Sequence, residues 1–153
     1  MTDILLIFTS ILVGFLVGNR YAKQCRDKYL LFCDLERFAQ MVSQNAKGKC
    51  LPLVEVFSQY QSTFSQDFND LFQNCFVNSN SCRLKNLDEK INVDNFFALL
   101  KQPSAKEVYE SAKSYQTIFA NYKNSSDAIY KTKGIAMQKL GVLLGVCFGL
   151  MIV

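Results

Sequence analysis

Leu140-Gly-Val-Leu-Leu-Gly-Val-Cys-Phe-Gly-Leu-Met-Ile-Val153 carries no charge, and Lys131, Lys133 and Lys139 stand just before it. The other end mirrors it: Ile4–Asn19 is uncharged and is followed by Arg20, Lys23, Arg26 and Lys28. Lysine and arginine resist translocation and favour the anionic cytoplasmic leaflet. Apolar extremities with basic inner flanks therefore predict a chain anchored at both ends, its middle on the cytoplasmic side.

The charge balance agrees. The chain has 17 basic and 13 acidic residues, a net of +4. Arg20, Lys23, Arg26 and Lys28 against Asp27 give +3, as do Lys123, Lys131, Lys133 and Lys139 against Asp127. The two flanks exceed the whole-chain excess, which leaves the remainder slightly acidic. Because these positives border apolar runs and do not interleave with aromatics on a soluble face, no nucleic-acid partner is expected.

Both apolar runs are short. Sixteen helical residues rise about 24 Å and fourteen about 21 Å, against a hydrocarbon core of roughly 30 Å. Tyr21 and Ala22 can extend the first, and Ile135–Met137 the second if Lys139 reaches the headgroups. Length alone would suit two core helices of a soluble protein; flanking charge decides for insertion. A cleaved leader is disfavoured, since Asp3 precedes the apolar run, the positives follow it, and no small-x-small site comes after.

The six cysteines (Cys25, Cys33, Cys50, Cys75, Cys82, Cys147) follow no zinc spacing, and the chain has no histidine. The commonest metal ligand and general base are thus both missing. On the cytoplasmic side the thiols are expected reduced and apolar in behaviour, and a Cys75–Cys82 disulfide would require the opposite topology. Asp67, Asp70 and Asp88-Glu89 read as solvated faces. Cys25 lies among cations but has no histidine partner. Neither enzyme activity nor a cofactor is expected.

Between the ends the pattern is helical. Leu31, Leu35, Phe38 and Val42 make one apolar stripe. Nothing breaks the helix before it, so one rod should run from the first anchor to Ala46–Gly48 and close on a left-handed glycine. Pro52 suits the first turn of a second helix with the stripe Leu53, Phe57, Tyr60 and Phe64. After a joint at Ser62–Ser65 come Phe68, Leu71, Phe72 and Cys75, by default in a hairpin with the preceding helix. Asn78–Ser81 reads as a loop. Ile91, Phe96, Phe97 and Leu100 belong to one or two short helices, and Gln102-Pro103 punctuates. Ser104-Ala-Lys-Glu107 is a capping box. Val108, Ala112, Tyr115, Phe119 and Tyr122 form the last stripe, and after Asn124–Asp127 the chain re-enters helix. No two-residue alternation suggests strands. The expected fold is all-α: an antiparallel helical bundle (20–139) between N-terminal (1–19) and C-terminal (140–153) transmembrane helices.

Gly14-x-x-x-Gly18 and Gly141-x-x-x-Gly145-x-x-x-Gly149 place glycines on single helix faces, where backbones can approach closely in lipid. The faces would pair within one chain as a hairpin or between copies. A small oligomeric pore of such helices is the alternative function.

Three stretches resemble the stage III sporulation protein AB family: Gly14-Phe15-Leu16 into Asn19-Arg20-Tyr21; Leu35–Val56, ending Pro52-Leu53-Val54-Glu55; and Lys139-Leu140-Gly141-Val142-Leu143-Leu144-Gly145. The family's Leu-Gly stretch has no counterpart between Phe76 and Lys101. The resemblance implies a helical domain like those of type II secretion F and pilus platform proteins, in a sporulation complex between mother cell and forespore. It implies a body in the mother-cell cytoplasm, docked to the AAA-like ATPase stage III sporulation protein AA, alongside other membrane proteins of the complex.

Overall fold

The structure is a computed structural model that describes residues 2–48, 51–102 and 104–152, and the side chains of 7–48, 51–102 and 104–151. The expectations resting on Cys50, Pro103 and Val153, and on the side chains that open the Ile4–Asn19 run, lie outside the described residues. The described residues are all-α, with no strand. The elements are α1 (Thr2–Lys47), α2 (Leu53–Tyr60), α3 (Gln66–Phe72), α4 (Leu87–Leu99), α5 (Ala105–Ile129) and α6 (Ile135–Ile152). A 3-10 turn at Gln61–Thr63 precedes α3, and π turns at Gln73–Val77 and Tyr130–Gly134 follow α3 and α5. The chain divides into two packed units. Leu30–Lys123 is the body, and Met1–Tyr29 with Asn124–Val153 forms a helix-pair unit.

The body is organised around aromatic rings. Phe38, fully buried on α1, has five phenylalanine neighbours: Phe57, Phe64, Phe68, Phe72 and Phe96, at centroid distances of 5.5–6.5 Å. Most of these contacts are edge-on or tilted, the arrangement that aromatic quadrupoles favour. Phe57 and Phe72 stack at 3.8 Å and so join α2 to α3. Phe96 then meets Phe119 at 5.1 Å, which carries the core from α4 to α5. The stripes Leu31, Leu35, Phe38, Val42 and Phe68, Leu71, Phe72, Cys75 are buried throughout.

Local polar contacts fix the turns. The Asn45 side chain donates to the Leu51 carbonyl at 2.7 Å and accepts from the Leu51 amide at 3.0 Å. This bracket closes the bend after α1. Gly48 does not adopt a left-handed conformation there, contrary to the capping expected of it. Pro52 stands just before α2, not within its first turn, and its carbonyl accepts from the amides of Glu55 and Val56. Asp34, on α1, accepts from the Ser65 amide at 2.8 Å, while the Ser65 hydroxyl caps α3. Asn86 caps α4. Ser104 accepts from the Glu107 amide, the serine half of the expected capping box.

Other expectations are corrected. Tyr60 is exposed because the chain leaves α-geometry at that residue (φ −117°, ψ 5°) and Phe64 reaches the core from an extended backbone. Val56 takes the buried place beside Phe57. Ile91 lies within α4, as expected, but Glu89, read as part of a solvated face, is buried. Asn124–Asp127 does not interrupt the helix: Ala105–Met151 runs on through the π turn. Ser126 is buried within that stretch, so the polar patch contains an inward-facing residue.

Candidate functional site

The site singled out by the glycines is the contact within the helix-pair unit. A Cβ built on Gly14 would collide with the backbone carbonyl of Gly141, and one on Gly141 with that of Gly14. A Cβ on Gly18 would lie 2.7 Å from the Met137 carbonyl oxygen, and one on Gly145 lies 2.7 Å from Ile11 Cα. At Gly149 the nearest atom is Ile7 Cα, at 3.1 Å. Later residues of α1 thus face earlier residues of α6, so the two helices run in opposite directions. All five glycines named from the sequence meet at this one contact. At Gly14, Gly18, Gly141 and Gly145 the close neighbours are backbone atoms, so no rotamer change can make room for a side chain, whereas at Gly149 the approach to Ile7 is looser.

Two further small residues extend the contact beyond the motifs. Gly134 is buried, with its Cβ position 3.7 Å from Ala22 Cα and 3.6 Å from Cys25 Cβ. Their signal is in the sequence: Ala22 follows Gly18 by four residues, and Gly134 precedes Gly141 by seven, both helical-face spacings.

The outside of the pair is apolar. Phe8 is 73% exposed, Leu12 59%, Val17 64%, Leu143 60% and Phe148 60%. A shallow groove of about 500 Å³ runs along it, between Val13, Val17, Leu144 and Phe148, with Gly14, Gly141 and Gly145 at its base. Ala105–Met151 is long and apolar enough to cross a membrane.

Arg20, Lys23, Arg26, Lys131, Lys133 and Lys139 are exposed, and Lys28 is half-buried. Lys131 donates to Asp127 at 2.6 Å, and that contact raises the pKa of its ammonium group. The third group of residues named from sequence is elsewhere, in the body at the start of α2: Pro52 and Glu55 are exposed and Leu53 is half-buried against the core.

Within the body a recess of about 590 Å³ between α3 and the 80–84 segment is lined by Asp67, Asp70, Asn74, Ser81 and Arg83 among others. Nearby, Asp94 holds this segment by accepting from the Ser81 hydroxyl at 2.6 Å and the Cys82 amide at 2.7 Å. Cys75 and Cys82 are buried free thiols. Burial pushes the Cys75 thiol up to about 12 and raises that of Cys82. Both are thereby held protonated, the opposite of an activated nucleophile. Among the described residues no group of three or more His, Cys, Asp or Glu side chains is placed to hold a metal. No family model matches the chain, and no curated protein or solved structure matches it.

Proposed function

We propose that the chain is a membrane-anchored platform protein. Its first and last helices insert as a transmembrane hairpin, and the body is a helical bundle held on the cytoplasmic side. The observation that carries this reading is the inverted character of the helix pair, which has glycine backbone inside and large apolar side chains outside. In water, such a pair would leave a continuous apolar surface exposed, which soluble monomers avoid beyond a few hundred Å². In lipid the preference reverses, because close van der Waals contact between backbones drives association while the side chains dissolve in the acyl phase.

The partner is proposed from the resemblance to the stage III sporulation protein AB family. The body would dock a secretion ATPase of the stage III sporulation protein AA type, within a complex joining mother cell and forespore. The Pro52–Glu55 start of α2 belongs to the matching segment. An oligomeric pore is less favoured, because the glycine faces that would pack between copies are occupied by the contact within the chain. The test is binding of the full-length chain, reconstituted in lipid nanodiscs, to the folded ATPase from the same organism. Saturable binding at micromolar concentration supports the platform; none at tens of micromolar overturns the docking role. Ion leakage from reconstituted liposomes would favour the pore.

A further inference from the structure

The helix-pair unit carries seven basic and three acidic residues, whereas the body carries ten of each, so the whole net charge of +4 resides in the unit. The packing register assembles it. Gly18 lies against Met137 and Gln138, and Gly134 against Ala22 and Cys25, so residues 20–25 of α1 stand level with residues 131–136 of the returning helix, and Lys139 stands level with Leu16 and Val17. Two basic clusters more than a hundred positions apart in sequence thus form one band. The π turn lies within it: Gly134 is turned inward, Lys131 and Lys133 are exposed, and the Thr132 hydroxyl donates to the Ala128 carbonyl at 2.6 Å.

Lys131 is already paired with Asp127. Arg20, Lys23, Arg26, Lys133 and Lys139 are exposed and have no acidic partner among the described residues. They stand at the inner margin of its apolar exterior, with Lys139 about one turn further along, where phosphate groups of a bilayer would stand. We propose that this band binds anionic phospholipid headgroups and makes the helix pair selective for phosphatidylglycerol-type over zwitterionic lipid. The proposal rests on the membrane reading above. Charge complementarity selects the occupant, since each basic residue near an anionic surface favours it about fivefold. Exposed aromatic rings interleaved with the cations, which a single-stranded nucleic acid would use, are limited here to Tyr21.

The experiment uses the full-length chain in vesicles of equal phosphatidylglycerol and phosphatidylcholine. The protein is extracted with its adjacent lipid in a styrene–maleic acid polymer, and the co-purified lipids are quantified. Expected is an enrichment of phosphatidylglycerol over the bulk ratio of about threefold or more, given the per-residue preference. It should return to the bulk ratio in the variant Arg20→Gln/Lys23→Gln/Arg26→Gln/Lys133→Gln/Lys139→Gln. Both proteins are also placed in pure phosphatidylcholine vesicles and washed with alkali; retention there reports anchoring apart from headgroup choice. A bulk lipid ratio around the retained wild-type chain, or enrichment that survives in the variant, overturns the proposal and leaves the anchor standing. Loss of enrichment on adding millimolar inorganic phosphate or an RNA oligonucleotide assigns the band to a soluble ligand and also overturns it. Release of the wild type by alkali removes the anchor and this inference with it.

Discussion

Gly14 and Gly141 meet backbone to backbone, so that neither can acquire a Cβ without striking the carbonyl of the other. This contact makes the two ends of the chain one unit. It also gives the glycine spacing a physical role, since each glycine removes the atom that would hold the helices apart.

The register can be read chemically. A Cβ placed on Gly149 would lie 3.4 Å from Ile7 Cβ, near the separation of disulfide-linked residues. In a chain freed of its other cysteines, Ile7→Cys/Gly149→Cys should form an intramolecular disulfide on mild oxidation. Adding Gly145→Leu should suppress it several-fold, because Ile11 and Ser10 backbone atoms occupy the space the leucine needs. Unchanged crosslinking in the triple variant, read as a gel-mobility shift with and without reductant, would contradict the packing.

In the body, Phe38→Ala removes the ring on which five others converge. The expected cost is about 3–5 kcal/mol, as for other fully buried phenylalanines. Urea or thermal unfolding followed by circular dichroism checks it. A loss under about 1 kcal/mol would mean that the cluster repacks far more freely than dense protein interiors do.

Asp94→Ala leaves the Ser81 hydroxyl and the Cys82 amide without their acceptor. The loss should be about 1–3 kcal/mol, that of a charge-assisted contact broken on one side. Limited proteolysis should show faster cleavage at Asn78–Ser81. Wild-type cleavage kinetics would show that Asp94 does not hold the segment.

The Cys75 thiol supplies a pH dependence. Its folded pKa is raised by burial from 9.0 to about 12, and that of Cys82 is raised in the same direction. Between those limits the folded chain retains a proton that the unfolded chain has released, so stability falls as pH rises. The contribution is present in full below pH 9.0 and is lost progressively towards about 12. Cys75→Ala should flatten this alkaline decline in melting temperature, and the wild-type thiol should resist iodoacetamide at pH 9 until the chain unfolds. An equal decline in the variant would assign the effect to other groups.

Much of the fold was legible because the relevant signals are local. The four-three-four spacing from Leu31 to Val42 fixed the buried face of α1, and Asn78–Ser81 marked a loop without tertiary help. The stripe misplaces Tyr60 because it assumes one continuous helix, whereas the backbone leaves α-geometry at Tyr60 itself, before the 3-10 turn at Gln61. The left-handed cap expected at Gly48 is absent, and the bend after α1 is closed instead by the Asn45–Leu51 bracket, which has no periodic signature. Asn124–Asp127 looked like a break because its residues favour turns in isolation, yet a long helix packed on one face tolerates them. The glycine contact was visible as spacing, but its pairing within one chain was not, since the same faces could serve two copies. Asp34 and Asp94 were missed because nothing local distinguishes a carboxylate that accepts a distant amide from one that is solvated.

The most direct measurement places the body relative to the bilayer. Gln59 is exposed on α2 and offers a label site in a chain with no other cysteine. Alkali-washed vesicles carrying Gln59→Cys are treated with a membrane-impermeant maleimide, in right-side-out and inverted orientations. The account predicts that the chain stays with the washed membrane and is labelled only in inverted vesicles. Labelling in right-side-out vesicles, or recovery of the chain in the alkaline supernatant, would contradict it.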